Sequence, residues 1–189
     1  MAPLFFVVNP AAPIFVGRLS ERVVWIRVEG KGSFQNSPEL KEFAQVMIGR
    51  GAQRFVVDLE NCPVMDSTFM GTLVGIVSQL SAAAGDEFGL EIINANGRNL
   101  QLVESLGLDQ VFQLDRDGSS WPDLRKAVSE QISGGCEQQL EHIDLEKREN
   151  TEHVLTAHQA LAGADEENVP RFRDVIEFLK KELEGTGPT

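Results

Sequence analysis

The sequence predicts an α/β fold with a mostly parallel sheet, followed by an all-α C-terminal extension. Up to about residue 115, short β-branched runs alternate with helical periodicities, the pattern of layered α/β domains. One run, Phe55-Val56-Val57-Asp58-Leu59, is almost continuously apolar, as expected of a strand covered on both faces. Beyond residue 115 the chain turns long, charged and free of strand patterns. We therefore place one domain over 1–115 and a helical extension over 116–189, the latter an oligomerisation or partner-binding element.

Pro13 to Gly17 and Val23 to Val28 read as two strands joined by a turn at Arg18-Leu19-Ser20-Glu21. Ser37-Pro38-Glu39 opens a helix, with Ser37 as N-cap, Pro38 at the first helical position, and Leu40, Phe43, Ala44 and Met47 on one face. Gly49 and Gly51 end it, and the Phe55–Leu59 strand follows. A loop through Pro63 reaches Asp66-Ser67, where a second helix begins. Its residues Phe69, Met70, Leu73, Val74, Ile76, Val77 and Leu80 cover so much of the circumference that it must be largely buried. Phe88 to Ile93 is a further strand, Leu100, Val103 and Leu106 mark a helix closed by Gly107, and Val111 to Leu114 is a last short strand. In the extension, Ser120-Trp121-Pro122 starts a helix to about Ile132, Gly134-Gly135 breaks it, and residues 137–162 form a polar helix stopped by Gly163. A final helix from Asn168 carries Phe172, Val175, Ile176, Leu179 and Leu183 at 3.6-residue spacing, a stripe that needs a cover.

Bulk composition excludes several functions. The 189 residues are 42% apolar and 24% charged with a net charge of −12, and residues 137–189 alone carry 13 acidic against 6 basic groups. Such a chain suits neither nucleic acid, which requires clustered Lys and Arg, nor an anionic membrane surface. Apolar runs are broken well before 18 residues, and the stretch from Met1 to Pro13 lacks the leading positive charge of a signal peptide, so a cytoplasmic chain is expected. Cys62 and Cys136 are the only cysteines; a disulfide between them stays open, with two reduced thiols the preferred reading. His142, His153 and His158 all lie in the extension. The last two are five apart, off a common helical face, and are read as surface histidines with no metal site. Gly30-Lys31-Gly32-Ser33 lacks the spacing of a phosphate loop, no cofactor is expected, and no catalytic constellation is visible.

The segment Phe55 to Leu73 resembles the hallmark of the STAS domain, in which a buried strand ends in a polar loop and Asp-Ser-Ser-Gly-Leu-Gly opens a helix. Asp66, Ser67, Thr68 and Gly71 match this pattern directly, while Phe69 stands where glycine is usual. Glu29-Gly30 and its linker, and Leu106-Gly107-Leu108, are similar to flanking parts of the family, so the resemblance covers about residues 13–114. It implies a STAS-like mixed sheet with packed helices.

The resemblance to anti-sigma factor antagonists further implies a non-enzymatic switch in signal transduction and transcription regulation. Its partner would be an anti-sigma factor that is also a serine kinase of the histidine-kinase-like ATPase fold. The kinase would modify Ser67, with Thr68 the lesser acceptor, and a phosphatase would reset it. Partner contacts would fall on Asp66, Ser67, Thr68, Phe69, Gly32 and Ser33, the last standing where many antagonists carry an acidic residue. The chemistry agrees: a phosphate on a first-turn serine is stabilised by the helix N-terminus. It also adds nearly two negative charges beside Asp66 on a docking face, and a penalty of ~3 kcal/mol changes affinity roughly a hundredfold. Three other readings stand beside this one. Asp66-Ser67 is a plain helix cap; or the chain is a scaffold, such as a subunit of a signalling particle or transport complex, assembling as a homo-oligomer through its C-terminal helices; or it is a small hydrolase.

Overall fold

Val23–Val28 and Arg54–Asp58 form the centre of a six-stranded sheet because their alternate side chains have apolar layers to enter on both sides. The computed structural model describes residues 12–84, 89–123, 125–126 and 138–185. The apolar N-terminal stretch up to residue 11, most of the helix expected to reach Ile132, the Gly134-Gly135 break and Cys136 lie outside the described residues.

In chain order the strands are β1 (Ile14–Arg18), β2 (Val23–Val28), β3 (Arg54–Asp58), β4 (Gly89–Ile93), β5 (Gln113–Leu114) and β6 (Gln138–Gln139). The helices are α1 (Ser37–Gly49), α2 (Ser67–Ala84), α3 (Gly97–Ser105), α4 (Lys147–Ala164) and α5 (Asn168–Gly185), with a 3-10 turn at Leu108–Gln110. The sheet order is β5-β4-β3-β2-β1-β6. Strands β2 to β5 run parallel, whereas β1 pairs antiparallel with β2, and β6 antiparallel with β1. Because β2 to β5 advance in one direction across the sheet, crossovers of one hand put α1, α2 and α3 on the same face. Val24, Ile26, Val28, Phe55, Val57, Leu90 and Ile92 meet Leu40, Met47, Phe69, Leu73, Ile76, Leu80 and Val103 there in one buried core. The opposite face carries a smaller cluster of Trp25, Val56 and Ile93, against which Trp121 packs with its indole N–H donated to Glu91.

Two details depart from the sequence reading. Ser37 is the first helical residue rather than the cap; Asn36 precedes it without a side-chain capping bond, and the Ser37 hydroxyl is buried against the C-terminal extension. The helix expected over 137–162 begins only at Lys147, where Glu146 and Glu149 form a capping box. The residues before it are extended: Gln138 and Gln139 pair with Val16 and Phe15, and Leu140 N–H donates to Ile14 O at 2.9 Å. Polar glutamines suit this strand because it lies on a sheet edge, where the bonds come from the backbone and both residues face solvent.

The extension thus straps the domain and returns as a helical hairpin. α4 lies on α2, and α5 on α4. The Asn168 side chain donates to Leu106 O and Leu161 O, tying the hairpin turn to the end of α3. The stripe on α5 finds its cover within the chain: Leu179 is buried and Phe172 packs on the core, while Phe178 on the outer side stays 64% exposed. Among the described residues no helix is long and apolar enough to cross a membrane.

Candidate functional site

Two loops at the C-terminal ends of β2 and β3 are knitted into one platform. Gly30, at φ +86°, donates its N–H to Asn61 O at 2.9 Å; Gly32 N–H donates to Val64 O, and Asp66 N–H to Gly32 O. Asn36 holds the first loop from within, accepting from Ser33 N–H and donating to Lys31 O and Ala12 O. Asn99, at the start of α3, pins the second loop by donating to Cys62 O and accepting from Met65 N–H. Cys62 is buried beneath, and burial pushes its thiol above the usual cysteine range.

α2 begins on this platform. Asp66 is its N-cap: one carboxylate oxygen accepts from Phe69 N–H at 2.9 Å, while the other accepts from Phe34 N–H at 3.0 Å and binds the first loop to the helix mouth. Asp66→Ala loses both bonds at once. We expect a destabilisation of ~1–2 kcal/mol, read as a shift in the denaturation midpoint, with Asp66→Asn intermediate because its single amide oxygen can accept only one of the two bonds.

Ser67 is the first helical residue and is half-buried. Its hydroxyl lies 3.0 Å from His158 Nε2 on α4. His158 Nδ1 is 2.8 Å from Val154 O, which only accepts, so Nδ1 carries a hydrogen and donates it there, leaving Nε2 to meet the Ser67 hydroxyl. The Phe172 ring backs the imidazole edge-on at 5.5 Å. A second pair repeats the arrangement one turn away on α1, with the Ser37 hydroxyl 2.7 Å from His153 Nε2. His153 is held down to about 4, chiefly by burial and then by Lys41, against an opposing pull from Asp66.

The other residues assigned to partner contact are placed as follows. Ser33, Thr68 and Phe69 are buried, and Gly32 lies flat against the Phe69 ring, so that a Cβ there would sit 2.9 Å from Cδ1. The bulky residue at the family's glycine position is thus accommodated by a glycine on the facing loop. Exposed apolar surface beside the helix mouth comes instead from Phe34, at 44% exposure. The histidines differ most from expectation. Only His142 is solvated, while His153 and His158 are 5% and 6% exposed. Among the described residues no group of three metal-ligating side chains converges on a point.

The sequence model of the STAS domain family matches residues 18–121, more than half of the chain. The chain belongs to the STAS domain family. Three solved structures illustrate the likeness. The anti-sigma factor antagonist SpoIIAA in its unphosphorylated form is 16% identical with a TM-score of 0.48, over 64% of this chain and 96% of that one. SpoIIAA of Bacillus in the phosphorylated form is 17% identical with a TM-score of 0.46, over 61% and 97%. An anti-sigma factor antagonist of Mycobacterium paratuberculosis is 19% identical with a TM-score of 0.45, over 62% and 92%. No curated protein matches the sequence.

Within this STAS chain, the Ser67–His158 pair invites comparison with an activated nucleophile. The group behind the imidazole is a main-chain carbonyl rather than a carboxylate, so an imidazolium formed by proton transfer would gain no charge partner there. The Ser67–His158 bond joins α2 to α4 where the two helices pack. Sequence reasoning missed His153 and His158 as site residues because a search for metal spacing or a catalytic set asks what histidines do together, and these act singly with serines.

Proposed function

We propose that this STAS chain is a cytoplasmic, phosphorylation-gated protein-binding module of the anti-sigma factor antagonist type, with Ser67 the acceptor. One observation carries the reading: Ser67 opens α2 directly after the Asp66 cap, on a platform of two loops locked to each other. A helix mouth of this kind stabilises a phosphate through its unpaired N–H groups and dipole, so the modified domain keeps its fold. The same phosphate, beside Asp66 and the exposed Phe34 ring, places charge on a surface whose docking needs desolvation. The partner is a serine kinase with anti-sigma activity, and a phosphatase reverses the step. Thr68 is the weaker acceptor, since it is buried on the inner side of the first turn.

With a cognate kinase and ATP, the intact chain should gain the mass of one phosphate, located at Ser67. Ser67→Ala should bind the kinase and stay bound, whereas Ser67→Asp should bind about a hundredfold more weakly. Equal binding by both variants in a pull-down or calorimetric titration refutes the switch.

A further inference from the structure

The face of α2 that flanks Ser67 is covered by the chain's own α4, which reaches α1 through the Ser37–His153 bond. We propose that this face is a docking surface for a helix, that the hairpin α4–α5 is its occupant in cis, and that Ser67 is open to a modifying enzyme or partner only when the hairpin has lifted. The gating of Ser67 rests on the function proposed above; the docking does not.

Three features carry the inference. The Ser67 hydroxyl and His158 Nε2 are 3.0 Å apart, so a phosphate on that oxygen must break this bond and either displace the imidazole or turn away from it. Hairpin docking and modification of Ser67 therefore compete. Second, the two helices touch backbone to backbone at one point: a Cβ on Gly71 would lie 2.1 Å from Ala157 O, whereas one on Gly75, a turn later, would meet nothing within 4 Å. Glycine at 71 is what lets α4 come this close. Third, the buried face of α4 is Thr151, His153, Ala157, His158 and Leu161, with Leu161 its only large aliphatic. A face made of small residues and serine–histidine bonds holds a helix with less apolar burial than the core helices have, which suits an element that leaves and returns.

Hydrogen–deuterium exchange on the full chain, read by mass spectrometry, tests this without any kinase. Gly71→Ala should raise exchange at least tenfold across residues 147–185 while β2, β3 and β4 keep their protection, an opening confined to one unit of structure. Ser67→Glu should act in the same direction, and Gly75→Ala should exchange as wild type. The proposal is overturned if Gly71→Ala and Ser67→Glu both leave the hairpin protected. It is equally overturned if the sheet loses protection together with the hairpin, or if Gly71→Ala opens the hairpin and Ser67→Glu does not. A chain opened by Gly71→Ala that its cognate kinase still fails to modify would sink the switch reading and leave the docking surface standing.

Discussion

Phe69→Ala should lower the stability of the folded chain by about 3–5 kcal/mol, the range for emptying a fully buried aromatic site. Phe69 is entirely buried, in the first turn of α2, with its ring against Gly32. Its loss opens a cavity between the helix mouth and the first loop, which is also where Asp66 binds Phe34 N–H. The loop should therefore loosen along with the core. The contact is reciprocal. Gly32→Ala alone presses a Cβ to within 2.9 Å of the ring and should destabilise, whereas Gly32→Ala combined with Phe69→Leu should cost less than the two singles added together. Urea denaturation of the four variants measures this. A loss below ~1 kcal/mol for Phe69→Ala, or strict additivity in the pair, would show that the ring is not the support assigned to it here.

The STAS portion was legible in sequence because its signals are the ones periodicity detects. Val23–Val28 is a strand with the bounds expected of it, the Phe55 run is covered on both faces, and Gly107 closes α3 in the left-handed region that glycine favours. The start of α2 was equally plain, since Asp66-Ser67 stands immediately before a helix apolar around much of its circumference. The extension was harder to read for a physical reason. Its strand β6 is two exposed glutamines held by main-chain bonds, which leaves no side-chain pattern to find. The docking face of α4 is polar and small, with Leu161 its one large buried aliphatic, so it shows no apolar stripe and reads from sequence only as a polar helix. Gly71 and Gly75 stand one turn apart on α2, and the structure places Ala157 against the first and nothing against the second. Which of two glycines touches a neighbour depends on the crossing point of two helices far apart in sequence, and no local window contains that information.

Acid should release the hairpin, through His153. The imidazole is held at about 4 in the folded chain, below its ordinary 6.5, first by burial against α1 and α2 and then by the charge of Lys41, with Asp66 pulling the other way. Lys41 and Glu42 from α1, and Glu149 and Glu152 from α4 itself, line the groove at its edge. An undocked His153 returns to the ordinary value and takes up a proton below pH 6.5, while the docked one refuses it until about pH 4. The docked state is therefore fully favoured above pH 6.5 and loses stability as the pH falls from there to about 4. A shift from 6.5 to about 4 corresponds to ~3 kcal/mol across that window. Protonation would also turn Nε2 from an acceptor into a donor toward the Ser37 hydroxyl, 2.7 Å away, and place a buried charge near Lys41. His153→Gln removes the titration while keeping a polar group opposite Ser37. Its stability should fall less steeply than wild type between pH 6.5 and 4, by roughly the effect of one proton, whatever the carboxylates contribute to both. Denaturation midpoints or proteolysis of residues 147–185 across that range provide the comparison. Parallel profiles for the two proteins would mean that this histidine does not couple the hairpin to pH.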